Sequence, residues 1–332
     1  MTIIHVYFGD AQHHPIIQNY LLENGKVYDA PKKKSSNRWR RSIELFWRLY
    51  YTKNDNVKIL HCHDPISLVI CLLLFKRKQI IYDSHEVFSS YIHNYFLNKM
   101  MFFVENILVR LPWKVIFPSY ERGSLYFKNK SKFIVIENKM QLNVPFNYVK
   151  RPALKHPKDD AINCIYSGTF TEVRCINEII TAIKLLSDKG YSIRLDLIGS
   201  KSEYLDKILS AQPININFLG RIPHAELLSR YKNYDVAFAL YRPTNLNNQY
   251  CAPTKLFEHE YVGLPTVTIK SKYIDHKIKM KEFVNCVQIE KIHPEAIAQA
   301  VLQAIRLTKE HQNPDSLLWS SQRTRIIELY KK

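Results

Sequence analysis

Short β-branched runs alternate with longer stretches of helical period from one end of this chain to the other. In the first half the strand candidates are residues 3–8, 57–61, 79–82, 114–118 and 133–136. Helical patterns lie between them at 14–24, 38–51, 66–76, 95–111 and 121–126. The second half repeats the scheme, with strands at 163–167, 194–198, 216–219, 235–240, 266–269 and 286–289. Its helices fall at 176–189, 202–210, 224–233, 254–262 and 294–309. Strand followed by helix, many times over, fits parallel sheets with helices packed on their faces. Pro145, Pro152 and Pro157, among polar and basic residues, interrupt the pattern over 141–160, which reads as a linker. The expected architecture is therefore α/β, with two doubly wound, Rossmann-like domains at 1–150 and 161–312 facing each other across a cleft. A length of 332 residues suits two domains of about 150 each. The helix from Tyr95 is rich in Met and Phe and is expected to be core.

Charge narrows the partners. The formal net charge is +18, and the excess is denser in the first half, at Lys32–Lys34, Arg38, Arg40, Arg41 and Arg48, with Trp39 and Trp47 interleaved. Such a surface attracts anionic lipid or nucleic acid, or simply keeps the chain soluble. No nucleic-acid recognition motif accompanies it, so no nucleic-acid partner is expected. The longest apolar run, 66–75, is too short to span a bilayer. If the protein meets a membrane, it lies on it. Six cysteines are scattered without a CxxC pair, and no signal peptide is visible, so a reduced, cytoplasmic chain is expected.

In open parallel sheets, ligands sit outside the carboxyl ends of the strands, so residues just after strands carry the functional reading. In Tyr82-Asp83-Ser84-His85-Glu86, His85 follows a strand and can offer a neutral imidazole to a sugar hydroxyl. Glu86 reads as a helix-start carboxylate. In His61-Cys62-His63-Asp64-Pro65 two histidines share a strand face. A zinc site there lacks an obvious second cluster of ligands. Gly168 and Thr169 open a turn before a helix, and Arg174 lies within reach of a phosphate held at that helix start. Gly220, Arg221 and Ile222 follow another strand, as do Gly9 and Asp10 near the N-terminus.

The segment 252–265 is the most specific. Thr254, Lys255 and Glu258 open a helix after Pro253, and Gly263-Leu264-Pro265 closes it. A Lys–Glu pair at i and i+3 is usually a surface salt bridge. Here the proline and glycine frame favours a cation and a carboxylate presented to a nucleotide diphosphate and its ribose.

These strings resemble the motifs of retaining glycosyltransferases of family 4, which have the GT-B fold. The match covers most of the chain: Asp-x-His-Glu at 83–86, His-x-His-Asp-Pro at 61–65, the glycine loop with Arg174, and the 252–265 signature. Cys175 stands where the family usually has glycine, Thr169 where many members carry a second basic residue, and Tyr250 where many have an earlier glutamate.

The resemblance implies a hexosyl-type transferase moving a sugar, with retention, from a UDP- or GDP-sugar to a glycan or lipid-linked acceptor in surface-polysaccharide assembly. It implies His85, Arg174, Lys255 and Glu258 as catalytic residues. Gly168, Thr169, Arg174, Gly220, Arg221, Ile222, Thr254, Lys255 and Glu258 bind the donor; Gly9, Asp10, His63 and Asp64 shape the acceptor site. The segment 316–332 is expected to cross back to the first domain. No Asp-x-Asp motif stands at a strand end, so neither a metal nor a cofactor is expected. The basic first domain suggests peripheral attachment to the inner face of the cell membrane. A nucleotide-sugar epimerase of the same fold, or a non-catalytic binding subunit, are the alternatives.

Overall fold

A computed structural model describes residues 2–11, 17, 20, 26–30, 37–52, 57–142, 160–210, 215–307 and 314–331. The chain divides into two compact units, Met1–Asn138 with Gln322–Lys332, and Lys139–Ser321. Lys32–Lys34, most of the expected helix at 14–24 and residues 143–159 of the expected linker lie outside the described residues.

The first unit runs β1 (Thr2–Tyr7), β2 (Lys26–Asp29), α1 (Arg38–Tyr51), β3 (Val57–Cys62), α2 (Pro65–Leu74), β4 (Ile80–Asp83), α3 (Tyr95–Leu108), β5 (Lys114–Phe117), α4 (Tyr120–Gly123) and β6 (Ile134–Val135). Its described strands form a six-stranded parallel sheet in the order β2-β1-β3-β4-β5-β6. The order reverses between β1 and β3, the switch point where ligands of such sheets bind. The strand β2 was not legible: Lys-Val-Tyr-Asp at a sheet edge is too short and too polar to show a period.

Local chemistry sets the helix ends. Asp64 caps α2, accepting from the backbone N–H groups of Ile66 and Ser67 at 2.9 Å each, and Ser67 returns a bond in a capping box. Pro65 fits the first helical turn, where its missing N–H is harmless.

The reading of α3 as core holds only in part: Phe102 and Leu108 pack against the core, but most of its large apolar residues do not. Tyr95, Phe96, Leu97, Met100, Phe103 and Ile107 are exposed, and the buried residue of this 14-residue helix is an acid, Glu105. Glu105 is buried because it accepts from the backbone N–H groups of Phe88 and Ser89, at 2.9 and 3.0 Å, and from the Tyr126 hydroxyl at 2.9 Å. Composition suggested burial; the helix's orientation on the sheet decided otherwise.

The second unit runs β7 (Ile162–Ser167), α5 (Ile176–Asp188), β8 (Ile193–Ile198), α6 (Glu203–Leu209), β9 (Ile216–Gly220), α7 (His224–Arg230), β10 (Val236–Ala239), α8 (Leu246–Gln249), α9 (Thr254–Tyr261), β11 (Thr266–Ile269), α10 (Lys272–Lys279), β12 (Cys286–Ile289) and α11 (Pro294–Ala304). The described strands form a parallel sheet in the order β12-β11-β10-β7-β8-β9. This is the doubly wound order of dinucleotide-binding folds, with its switch point between β7 and β10. One apolar layer packs α5 and α11 against the sheet, and another packs α9 and its neighbours on the opposite face.

The last helix, Arg323–Tyr330, belongs to the first unit. It buries Ile326, Leu329 and Tyr330, and the Lys114 ammonium donates to the Leu329 carbonyl at 2.8 Å. All six cysteines are free thiols. Among the described residues no helix is long and apolar enough to cross a membrane.

Candidate active site

In the second unit the site grows from the carboxyl ends of β7 and β10. β7 ends at Ser167, and Gly168 follows with φ +139°, a conformation that side chains rarely adopt. Gly199, just after β8, has no room for a side chain: a Cβ there would lie 2.0 Å from the Gly168 carbonyl oxygen. The two glycines let these turns approach closely. Sequence reading overlooked Gly199, although a glycine directly after a strand is the signal that marked Gly168.

Lys255, in the first turn of α9, reaches back to this turn. Its ammonium donates to the Ser167 carbonyl at 2.5 Å and lies 4.9 Å from the centre of the Tyr166 ring. The Arg174 guanidinium stacks 4.0 Å from the centre of the Tyr241 ring, and the Lys255 ammonium lies 5.9 Å from that same ring. Tyr241 follows β10 and was not singled out in the sequence. Two cations therefore converge at the switch point. Arg174 Nη1 is buried without a hydrogen-bond partner among the described residues, and the Lys255 bond is to a neutral carbonyl. Burial first, and the nearby Arg174 second, lower the Lys255 ammonium to a pKa of about 8.

Glu258, one turn further along α9, is buried. Its carboxylate is bonded to His224 Nε2 at 2.9 Å and accepts from the Tyr231 hydroxyl at 3.4 Å. That bond raises the pKa of the His224 imidazole against the effect of burial. His224 opens α7 just past Gly220, Arg221 and Ile222, so the 220–224 turn and Glu258 come together. Gly220 has φ +73° with open space around it. Thr254 is the first residue of α9, and Gly263 ends the helix with φ +67°. Cys175 takes the left-handed conformation, φ 58° and ψ 33°, at the start of α5. That geometry is the physical reason a glycine suits the position. Thr169 is exposed, and its carbonyl accepts from the Tyr166 hydroxyl at 2.7 Å.

In the first unit the other named residues gather at the β1/β3 switch point. Asp64 accepts from the Phe8 backbone N–H at 2.6 Å, which ties the turn bearing Gly9 and Asp10 to the start of α2. Beside it runs a row of imidazoles across β1, β3 and the end of β4. His5 Nδ1 lies 3.0 Å from His63 Nε2, His63 Nδ1 lies 3.0 Å from His85 Nε2, and His61 Nδ1 lies 2.9 Å from the Tyr330 hydroxyl. Asp83 stands 3.8 Å from His61, His63 and His85.

Burial lowers His85 to a pKa of about 4 and lifts the Asp83 carboxyl to about 7. His85 is therefore neutral at pH 7. The trios His5, His61, His63 and His63, Asp83, His85 are the described residues with metal-ligand spacing. Within them His5 Nδ1 faces His63 Nε2 and His63 Nδ1 faces His85 Nε2 at hydrogen-bond distance, whereas His61 Nε2 is buried without a hydrogen-bond partner among the described residues.

The family model for glycosyl transferases group 1 matches residues 149–316, half of the chain. The chain belongs to this family. Solved structures agree on the GT-B fold. Sucrose-phosphate synthase from Thermosynechococcus elongatus superposes with a TM-score of 0.73 at 15% identity, covering 99% of this chain and 98% of that one. Anabaena Alr3699/HepE in complex with UDP-glucose gives 0.69 at 13% identity, with 99% of both chains covered. The lipopolysaccharide outer core galactosyltransferase WaaB, in its apo form, gives 0.66 at 13% identity over 100% of both. No curated protein sequence matches the chain. This group 1 glycosyltransferase thus carries its glycine turn, Arg174, Lys255 and Glu258 inside the matched segment.

Proposed function

We propose that this glycosyltransferase moves a hexosyl group, with retention, from a UDP- or GDP-sugar to a glycan or lipid-linked acceptor in surface-polysaccharide assembly. The observation that carries the reading is the pairing of Arg174 and Lys255 on the Tyr241 ring beside the Gly168 turn, close enough that Arg174 helps lower the Lys255 pKa. Two like charges are held together at a cost that a bound diphosphate removes. HepE's complex with UDP-glucose supports a UDP-sugar as the first donor to try.

In this scheme Arg174 and Lys255 stabilise the charge that develops on the departing diphosphate. Glu258, steered by His224, accepts from the ribose hydroxyls, and the 220–222 backbone borders the base. The sugar–phosphate C–O bond breaks as the acceptor oxygen bonds to the same carbon from the same face, and the acceptor proton passes to the leaving phosphate. Neutral His85 hydrogen-bonds a sugar hydroxyl, while Gly9, Asp10, His63 and Asp64 shape the acceptor side. The scheme uses the chain's own cations and calls for no metal, so activity should persist in EDTA. The exposed rings of α1 and α3, with the basic residues around them, rest the first unit on the cytoplasmic face of an anionic membrane.

A thermal-shift panel of nucleoside diphosphates and their sugars tests the donor site. UDP or GDP should raise the melting temperature of the wild type and have little effect on Lys255→Ala. Lys255→Ala and Glu258→Ala should each abolish transfer while remaining folded; near-normal turnover in either removes that residue from the scheme. Conversion of a nucleotide-sugar without any acceptor would favour epimerisation instead.

A further inference from the structure

We propose that the apolar pocket between α1, α2 and α3 of the first unit binds one hydrocarbon chain of a membrane lipid. The inference rests on the membrane reading above and makes it specific. The pocket has a volume of about 300 Å³ and is lined chiefly by Ile66, Val69, Tyr82, Met101, Val104 and Leu108. Glu105 also borders it, but both its carboxylate oxygens are occupied by Phe88 N–H, Ser89 N–H and the Tyr126 hydroxyl. A sugar or nucleotide placed here would leave its hydroxyls without partners. A water molecule's share of liquid volume is about 30 Å³, so the pocket has room for roughly ten heavy atoms of a single chain.

What covers this face follows from the exposed residues of the same three helices. Phe96 is 73% exposed, Phe103 67%, Leu73 72% and Trp39 77%, so three neighbouring helices present large apolar groups outward. Large apolar groups exposed on neighbouring helices suit a membrane or protein contact. Exposed Arg40, Arg48, Lys76, Arg77, Lys78, Lys99 and Arg110 lie on the same helices or on the turns that follow α2 and α3. A second copy of this chain would bring the same positive charge to the contact, whereas an anionic bilayer brings the opposite sign. Lipid chains are thus the occupant that suits both the charge and the apolar rings.

The test uses the full chain and vesicles of phosphatidylcholine with about one-third phosphatidylglycerol, an anionic fraction high enough to attract a basic surface. The phospholipid carries a photoreactive group within its acyl chain. Irradiation followed by peptide mass spectrometry should place adducts on α2 and α3 at Val69, Met101 and Val104. The pocket-filling variant Val69→Phe/Met101→Trp should still float with the vesicles but lose at least nine-tenths of those adducts. Phe96→Glu/Phe103→Glu should stop flotation.

Adducts confined to the exposed rings, or unchanged in the filled variant, overturn the pocket assignment. If the wild type fails to float, the membrane reading fails. A dispersed single-chain photolipid should then still label Met101, and no labelling overturns the pocket as well. A stable dimer in solution that Phe96→Glu/Phe103→Glu dissolves, with no lipid adducts in the wild type, gives the face to a second copy and overturns the proposal.

Discussion

Lys255 shows how one residue's surroundings set its chemistry. On an open helix face it would keep its charge up to about pH 10. Here burial and Arg174 bring it to about 8. A bound diphosphate favours the charged form, so it should raise that pKa and take up a proton as it binds. UDP affinity should therefore be steady below pH 7 and weaken as pH rises through 8 to 9, and isothermal titration across that range checks it. The unliganded fold responds in the opposite sense. Between about 8 and the ordinary lysine value the unfolded chain binds the extra proton, so this group adds stability as pH rises there. Gly199 is constrained by contact instead of charge. Gly199→Ala would drive a Cβ into the Gly168 carbonyl, with an expected loss of about 1–3 kcal/mol. Chemical denaturation reads that loss, and weaker UDP binding should accompany it because the phosphate turn must shift.

Among elements, α3 carries many of its apolar residues on its outward face. Phe96→Glu/Phe103→Glu touches exposed rings only, so each change should alter folding stability by no more than about 0.5 kcal/mol. Glu105→Ala leaves three donors without their acceptor and should cost about 1–3 kcal/mol. A polar substitution that destabilises more than two aromatic deletions is the inverse of an ordinary core helix, and comparing the variants' urea midpoints tests it. The same element shows where sequence reading fails. The Met- and Phe-rich composition of α3 is the same whether it faces the core or the outside; its placement in the fold separates the two. By contrast α9 was legible at both ends, because Pro253 and Gly263 act through their own backbone restrictions.

Over the whole molecule, the chain's last helix serves its first unit. Truncation after Ser321 removes the buried side chains of Ile326, Leu329 and Tyr330 and the Tyr330 hydroxyl beside His61. At about 1.5–3 kcal/mol for each buried apolar side chain, the first unit should lose several kcal/mol. Calorimetry should show one transition falling well below the other. The alternation of strands and helices was enough to determine two parallel sheets, because side-chain period and turn residues act locally. The order of the post-strand motifs likewise placed Gly168, Gly220 and His85 at or just after strand ends, since parallel sheets deliver every loop after a strand to one edge. Only the tertiary structure decided that Tyr241 carries both cations, that His224 and Tyr231 hold Glu258, that Asp83 completes the histidine row and that α3 turns its rings to the outside. Those outcomes depend on contacts between residues far apart in the chain, and a local pattern carries no record of which distant partner will arrive.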